Sequence, residues 1–202
     1  MNDNNTVITI SRQYGSGGRI IGEQVAKRLN IPFYDEELIN LAAEKSGYHV
    51  DFIKKNEQKI SNSLLYSLAV GQYYANGGSD LPVTDKIYIV EKEIIESIAK
   101  DGPCVIVGRC ADYFLKDKVK TFNIFLCGDY EARVKRIKEV YKLDRDASIS
   151  QIKKNDKARA NHYNHFTDEV WGKAENYDMV INTSTFGIDK TAEIISELYK
   201  HI

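Results

Sequence analysis

The chain lacks any apolar run approaching the roughly 20 residues that a bilayer span requires, so no membrane-spanning helix is expected. It has little cysteine: Cys104, Cys110 and Cys127 are an odd number without a Cys-x-x-Cys pair. That excludes a disulfide framework and gives no basis for a thiolate metal centre. Cys104 and Cys127 sit in apolar runs, where cysteine acts as a small hydrophobe, and reduced packing thiols are expected. Charge of one sign is not in excess, with Lys+Arg 28 against Asp+Glu 29 and a net charge of -1. This balance excludes a dedicated nucleic-acid binder or a polybasic membrane binder. Prolines number three, and there is no low-complexity tract or fixed-period repeat. The first residues, MNDNNT, are polar and acidic, unlike a secretory signal, so a cytoplasmic protein is expected.

What is present is an alternation of short β-branched runs with longer helical ones. Hydrophobic residues make up 43% of the 202 residues, enough for one sizeable α/β domain spanning 1–202. Val7 to Ser11 reads as a strand, and 17–29 as a helix with Ile20, Ile21, Val25 and Leu29 along one stripe. A second strand at 32–35 ends in Asp35, before a helix at 36–45. The stretch 50–75 is less regular, and Gly77, Gly78 and Pro82 mark a loop. Thr84 or Asp85 should then cap a helix through Lys100, with Ile87, Val90, Ile94, Ile95 and Ile98 inward. Strands at 104–107, 121–127 and 178–182 follow. Between and after them, Asp129 should cap one helix, Ser148-x-x-Gln151 resembles a capping box for a basic helix to about Ala160, and 187–201 closes the chain.

Strands separated by helices mean parallel βαβ units in a doubly wound sheet. Ligands of such sheets bind beyond the carboxyl ends of the strands. The rule selects the 12–19 loop, Asp35, Gly108-Arg109 and Asn182-Thr183-Ser184.

Within the first of these, Gly15, Gly17 and Gly18 permit close backbone approach to an anion at a helix's positive end. The phosphate-loop pattern G-x-x-x-x-G-K-[ST] fails as a strict match. Laid on Gly17, it meets Arg12 at its first glycine, Gly18 at the lysine and Arg19 at the serine or threonine. The dinucleotide pattern G-x-G-x-x-G fits Gly15 and Gly17 but meets Ile20 at its third glycine, with Asp35 near where a ribose-binding acid would stand. A phosphate loop, a dinucleotide-dependent oxidoreductase and a plain glycine turn all stay open on the residues.

Four stretches in order, "ITISRQYGSGGRIIGEQVAKRLNIPFYDEELI", "CVIVGRCADYFL", "FNIFLCGDYEARVKRI" and "ENYDMVINTS", resemble the cytidylate kinase-like family of the P-loop nucleoside-monophosphate kinase superfamily. The resemblance implies a three-layer α/β/α P-loop kinase fold, a five-stranded parallel sheet flanked by helices, with a mobile helical lid at about 146–173. It also implies an acceptor-side helical insertion at 46–83. The activity implied is transfer of the γ-phosphoryl of ATP, with Mg²⁺ brought by the nucleotide, to a small phosphorylated acceptor such as a nucleoside monophosphate. Arg12, Gly15, Ser16, Gly17, Gly18 and Arg19 would hold the donor phosphates. Arg19 stands in for the family's lysine, and Ser16 or Ser11 for its magnesium-binding hydroxyl. Asp35, Arg109 and Asp112 would face the acceptor, Lys157 and Arg159 beside Asp156 would be the lid's cations, and Asn182, Thr183 and Ser184 would pack near the adenine. The family's tyrosine-arginine pair is replaced by Asn40-Leu41, and the aspartate after its Gly-Arg by Cys110. A nucleotide-sensing protein without turnover is the alternative.

Plainer readings stand beside these. Arg109 could serve a structural ion pair, Asp35 could cap a helix, and Lys157 and Arg159 could be a solvated helix face. Trp171, with Tyr163, Phe166 and Tyr177, reads as core rather than as a stacking platform. His162 and His165 lie three apart but have no third ligand, so no metal site is expected. Tyr66, Tyr73 and Tyr74 have helical spacing suited to a helix pair or a homodimer surface.

Overall fold

The computed structural model describes residues 5–35 and 83–202. The expected helix at 36–45, the insertion at 46–83 and the tyrosines at 66, 73 and 74 lie outside the described residues. Strands β1 (Val7–Arg12), β2 (Phe33–Tyr34), β3 (Val105–Val107), β4 (Thr121–Cys127) and β5 (Met179–Asn182) form one parallel sheet in the order β2-β3-β1-β4-β5. Helices α1 (Gly18–Leu29) and α6 (Thr183–Tyr199) cover one face, and α2 (Val83–Asp101) and α3 (Ala111–Leu115) the other. Helices α4 (Tyr130–Tyr141) and α5 (Arg145–Thr167) pack on each other through Val134, Ile137 and Ile152.

The period-2 geometry of a strand puts side chains on both faces of the sheet, and β1 is buried on both from Val7 to Ser11. Val7 packs with Ile94, Ile95, Phe114 and Leu115 on one face, while Ile8 and Ile10 pack with Ile21, Val25, Ile124 and Ile195 on the other. Each isoleucine fully buried in this way contributes about 1.5–3 kcal/mol. The central position of β1 sends the loop after it into the crevice beside the ends of β3 and β4.

Local expectations shift in three places. Helix α5 begins at Arg145, not at a Ser148 capping box, because Asp144 Oδ1 accepts from the Ala147 N–H at 2.7 Å. The Ser148 hydroxyl instead donates to Asp144 O at 2.6 Å, inside the first turn. The last helix begins at Thr183 and passes through a non-helical Gly187, rather than starting there. In α1, Ile20 faces solvent, and Ala26 takes the buried place beside Ile21 and Val25.

Candidate active site

The loop after β1 is braced from three sides. Gln13 N–H donates to Leu126 O at 2.9 Å, and Gln13 Oε1 accepts from the Gly128 N–H at 3.1 Å. The buried Ser16 hydroxyl donates to Gln13 O at 2.8 Å, so it is turned into the loop. Thr183 Oγ1 lies 2.8 Å from Ser16 O and 3.0 Å from Cys127 O, tying the start of α6 to the glycine loop. Helix α1 then starts at a left-handed Gly17 with no side-chain cap and no acidic residue in its first turn. Its first-turn N–H groups therefore have no side-chain acceptor from the cap position.

Arg12, at the end of β1, threads between two glycines. A Cβ on Gly18 would lie 2.7 Å from Arg12 Cγ, and one on Gly108 would lie 2.0 Å from Arg12 Nη1. Only glycine at both positions lets this side chain reach its place. Gly108 is also left-handed, and so are Arg109 and Cys110 after it, at φ 59° and 53°. Two successive non-glycine residues in that region are uncommon and mark a backbone constrained by its surroundings.

Arg12, Arg109 and Arg159 line one cavity of about 280 Å³, together with Ser11, Gly108, Cys110, Asn155, Ala158, His162, Tyr163 and Trp171. Asp35 approaches Arg12 Nη2 at 3.6 Å, and the buried Glu91 of α2 approaches Arg109 Nη1 at 3.5 Å. Arg159 donates to Arg12 O at 3.0 Å and sets its guanidinium 5.4 Å over the Tyr14 ring. Burial lowers the Arg12 guanidinium to a pKa of about 9; Arg159 and Arg109 push the same way, and Asp35 opposes them. Burial likewise lowers Arg159, against the pull of Asp156 and Asp35. Three guanidiniums crowded at a partly dry site carry positive charge that an incoming anion would relieve.

The other expected residues sort around this centre. Arg19 is 57% exposed and lies outside the cavity wall, its Nε 3.4 Å from both Glu23 Oε1 and Asp35 Oδ2. Asp35 is thus the carboxylate shared by Arg12 and Arg19. Lys157 is exposed and absent from the wall. Asp112 turns away from the arginines and accepts from Tyr163 OH at 2.8 Å. It lines a second cavity of about 230 Å³ with Lys116, Asn123 and Glu169. Burial raises its carboxyl to about 6, the Tyr163 hydroxyl opposing the rise. Asn182 Oδ1 accepts from the Ser184 N–H at 2.9 Å while its Nδ2 donates to Asp129 Oδ1 at 2.8 Å. The Asp129 N–H donates to Ser184 Oγ at 2.9 Å. The 182–184 turn therefore locks the ends of β4 and β5 together, and Asp129 serves that lock rather than capping α4 with its side chain.

Asn155 and Ala158 were not singled out from sequence, and His162 and Tyr163 were not read as site residues. Asn155, Ala158, Arg159, His162 and Tyr163 are spaced i, i+3, i+4, i+7 and i+8, so one face of α5 supplies them. That spacing was readable; the direction of the face was not. His162 is held neutral, its pKa lowered to about 3 by burial, then Arg109 and His165. Trp171 packs edge-on against Phe125 at 5.3 Å and also lines the cavity, so the core reading and the site reading both apply.

Comparison with known proteins narrows the readings left open. A model of the cytidylate kinase-like family matches residues 7–185. The chain belongs to the cytidylate kinase-like family. Its activity class is kinase-type phosphoryl transfer, which displaces the oxidoreductase reading of the glycine loop. It is 27% identical over 128 residues to a cytidylate kinase of Methanocaldococcus jannaschii, covering 59% of this chain and 72% of that one. Among solved structures, an uncharacterized protein from Eubacterium ventriosum aligns with a TM-score of 0.74 at 24% identity, over 98% of this chain and 99% of that one. A shikimate kinase from Acinetobacter baumannii, solved with shikimate, aligns at a TM-score of 0.54 and 14% identity over 98% of this chain and 95% of that one. These structural likenesses establish the P-loop kinase fold of this cytidylate kinase-like chain. No helix among the described residues is long and apolar enough to cross a membrane.

Proposed function

We propose that the chain transfers the γ-phosphoryl of ATP to a small acceptor with an anionic end, a nucleoside monophosphate being the acceptor class. One observation carries the reading: Arg12, Arg109 and Arg159 converge on one cavity, and Arg12 packs against Gly18 at the uncapped start of α1. Phosphoryl transfer asks a protein for positioned cations and exclusion of water more than for covalent chemistry. The first-turn N–H groups of α1 receive the donor phosphates. Arg12 takes the part of the missing lysine, supported by its threading between Gly18 and Gly108 into the cavity. Arg19, paired with Glu23 and Asp35, orients Asp35 toward Arg12. Arg109 grips the acceptor's anion and Arg159 closes over the transferring group, each able to hold two oxygens at once. Trp171 offers an aromatic face to the acceptor.

The residues do not fit a protein-bound magnesium of the usual phosphate-loop kind. Arg19 stands where the hydroxyl ligand belongs, and the Ser16 hydroxyl donates into the loop. Mg²⁺ is therefore assigned to the phosphates of ATP alone. The same substitutions favour a second reading, nucleotide binding without turnover.

The deciding experiment is γ-phosphoryl transfer from ATP·Mg²⁺ across CMP, dCMP, UMP and AMP, with Arg12→Ala and Arg109→Ala as controls. Transfer to one acceptor, lost in both variants, is expected. Nucleotide-dependent thermal stabilisation without transfer to any acceptor would establish the binding protein instead.

A further inference from the structure

Helix α5 is fastened to the glycine loop at Tyr14, in addition to the bond from Arg159 to Arg12 O. Asp156 Oδ1 accepts from the Tyr14 N–H at 2.6 Å, and Asp156 Oδ2 accepts from Arg133 Nη1 at 2.6 Å. The same Arg133 nitrogen donates to Tyr14 O at 3.1 Å. Arg136 Nη1 donates to the next carbonyl, Gly15 O, at 2.6 Å. The Tyr14 ring lies between the Arg159 guanidinium at 5.4 Å and the Tyr141 ring at 6.2 Å. Loop residue 14 is thus held at its N–H, its carbonyl and its ring by α4 and α5.

We infer that Asp156 is a positioning residue that sets the Arg159 guanidinium in the cavity, using the glycine loop as its reference. The inference rests on the proposed phosphoryl-transfer reading and names how the cation that closes over the transferring group is aligned. Residues 156 and 159 lie three apart on one helix, so they are neighbours on its surface. Fixing Asp156 on the Tyr14 N–H fixes the rotation and height of α5 where Arg159 leaves it. The two short bonds to Asp156 are charge-assisted or aimed at a backbone donor, and each is directional. Among the described residues Arg159 donates to Arg12 O and lines the cavity, with further guanidinium donors to offer a ligand. A displacement of about 1 Å at such a site can cost on the order of 10²-fold in rate.

The test titrates inorganic phosphate into protein saturated with ADP·Mg²⁺, which fills the glycine loop so that phosphate reports on the arginine cavity. Wild type, Asp156→Ala, Asp156→Asn, Arg159→Ala and the double variant Asp156→Ala/Arg159→Ala are compared, with melting temperatures. Asp156→Ala is expected to weaken phosphate about fivefold or more, and to add nothing once Arg159 is gone, since coupled residues are non-additive. Asp156→Asn keeps an acceptor for Tyr14 but loses the charge facing Arg133, so a smaller loss is expected; it also carries the test if the alanine variant does not fold. Losses that multiply in the double variant, or an Asp156→Asn protein that binds phosphate as wild type does while Asp156→Ala only melts earlier, would make Asp156 structural and overturn the inference. A wild type that fails to bind ADP would end the kinase reading itself, which is a separate result.

Discussion

The Arg12 guanidinium occupies the volume that a side chain at residue 108 would need, with Nη1 only 2.0 Å from where a Cβ would stand. Residues 96 positions apart in sequence are therefore one feature in space. Gly108→Ala should evict Arg12 from the cavity. It should also strain a backbone at φ 82°, costing about 1–3 kcal/mol. The expected outcome is a folded protein, slightly less heat-stable, with phosphoryl transfer reduced on the order of 10²-fold, as seen in melting curves beside steady-state rates.

Arg12 and Arg19 should differ sharply when removed. Arg12→Ala is expected to reduce transfer by roughly 10³-fold or more, the scale for a cation that stabilises the transferring phosphoryl. Arg19→Ala breaks an exposed pair network worth about 0–1 kcal/mol and should cost tenfold or less in rate. Equal losses in the two variants would return the lysine's part to Arg19.

Asp112 predicts a pH dependence of stability. Its carboxyl is raised from 3.8 to about 6 by burial. Between those values the folded state holds a proton that the unfolded state has released, so this group's contribution is full below 3.8 and is lost as pH rises through 6. The loss is on the order of 2–3 kcal/mol. Asp112→Asn can still accept from Tyr163 but cannot titrate. Denaturant unfolding should show the variant gaining on wild type as pH goes from 4 to 8, and a constant difference across that range would refute the assignment.

His162 acts with the opposite sign. Its folded pKa is lowered from 6.5 to about 3, so the unfolded chain takes up the proton first. The contribution is full above 6.5 and lost as pH falls toward 3. His162→Asn should therefore lose less stability than wild type on acidification from pH 7 to 4, measured by the same unfolding curves.

How far the sequence could be read follows from what each feature depends on. Thr121–Cys127 is found at its expected bounds because a β-branched and aromatic run, buried between two helical layers, has no other good use. Of the residues after the strands, Arg12, Gly108 and Arg109 line the cavity, since a parallel sheet puts every strand's carboxyl end on one rim. That Arg12 lines the cavity and Arg19 does not was hidden. It depends on a groove made by Gly18 and Gly108, and no local pattern reports a contact across so much chain. Lys157 and Arg159 looked equivalent as neighbouring cations, yet two residues along a helix turn the side chain about 200°, and only Arg159 shares the face of Asn155, His162 and Tyr163. The start of α5 was misplaced because Ser148 and Gln151 have the spacing of a cap, while Asp144 makes the bond to the first turn.

The pairing of Arg109 with Glu91 bears on how this site can change by descent. Glu91 is only 1% exposed, and its carboxylate lies 3.5 Å from the guanidinium. Removing one member of a buried ion pair costs about 3–5 kcal/mol. A lineage that abandoned the chemistry would therefore find Arg109 among the last residues it could discard, until Glu91 changed with it. In a relative that keeps both, the arginine alone is a poor witness to activity. In one that has lost Arg12 or a glycine beside it while retaining Arg109, that arginine would be a vestige kept for the fold.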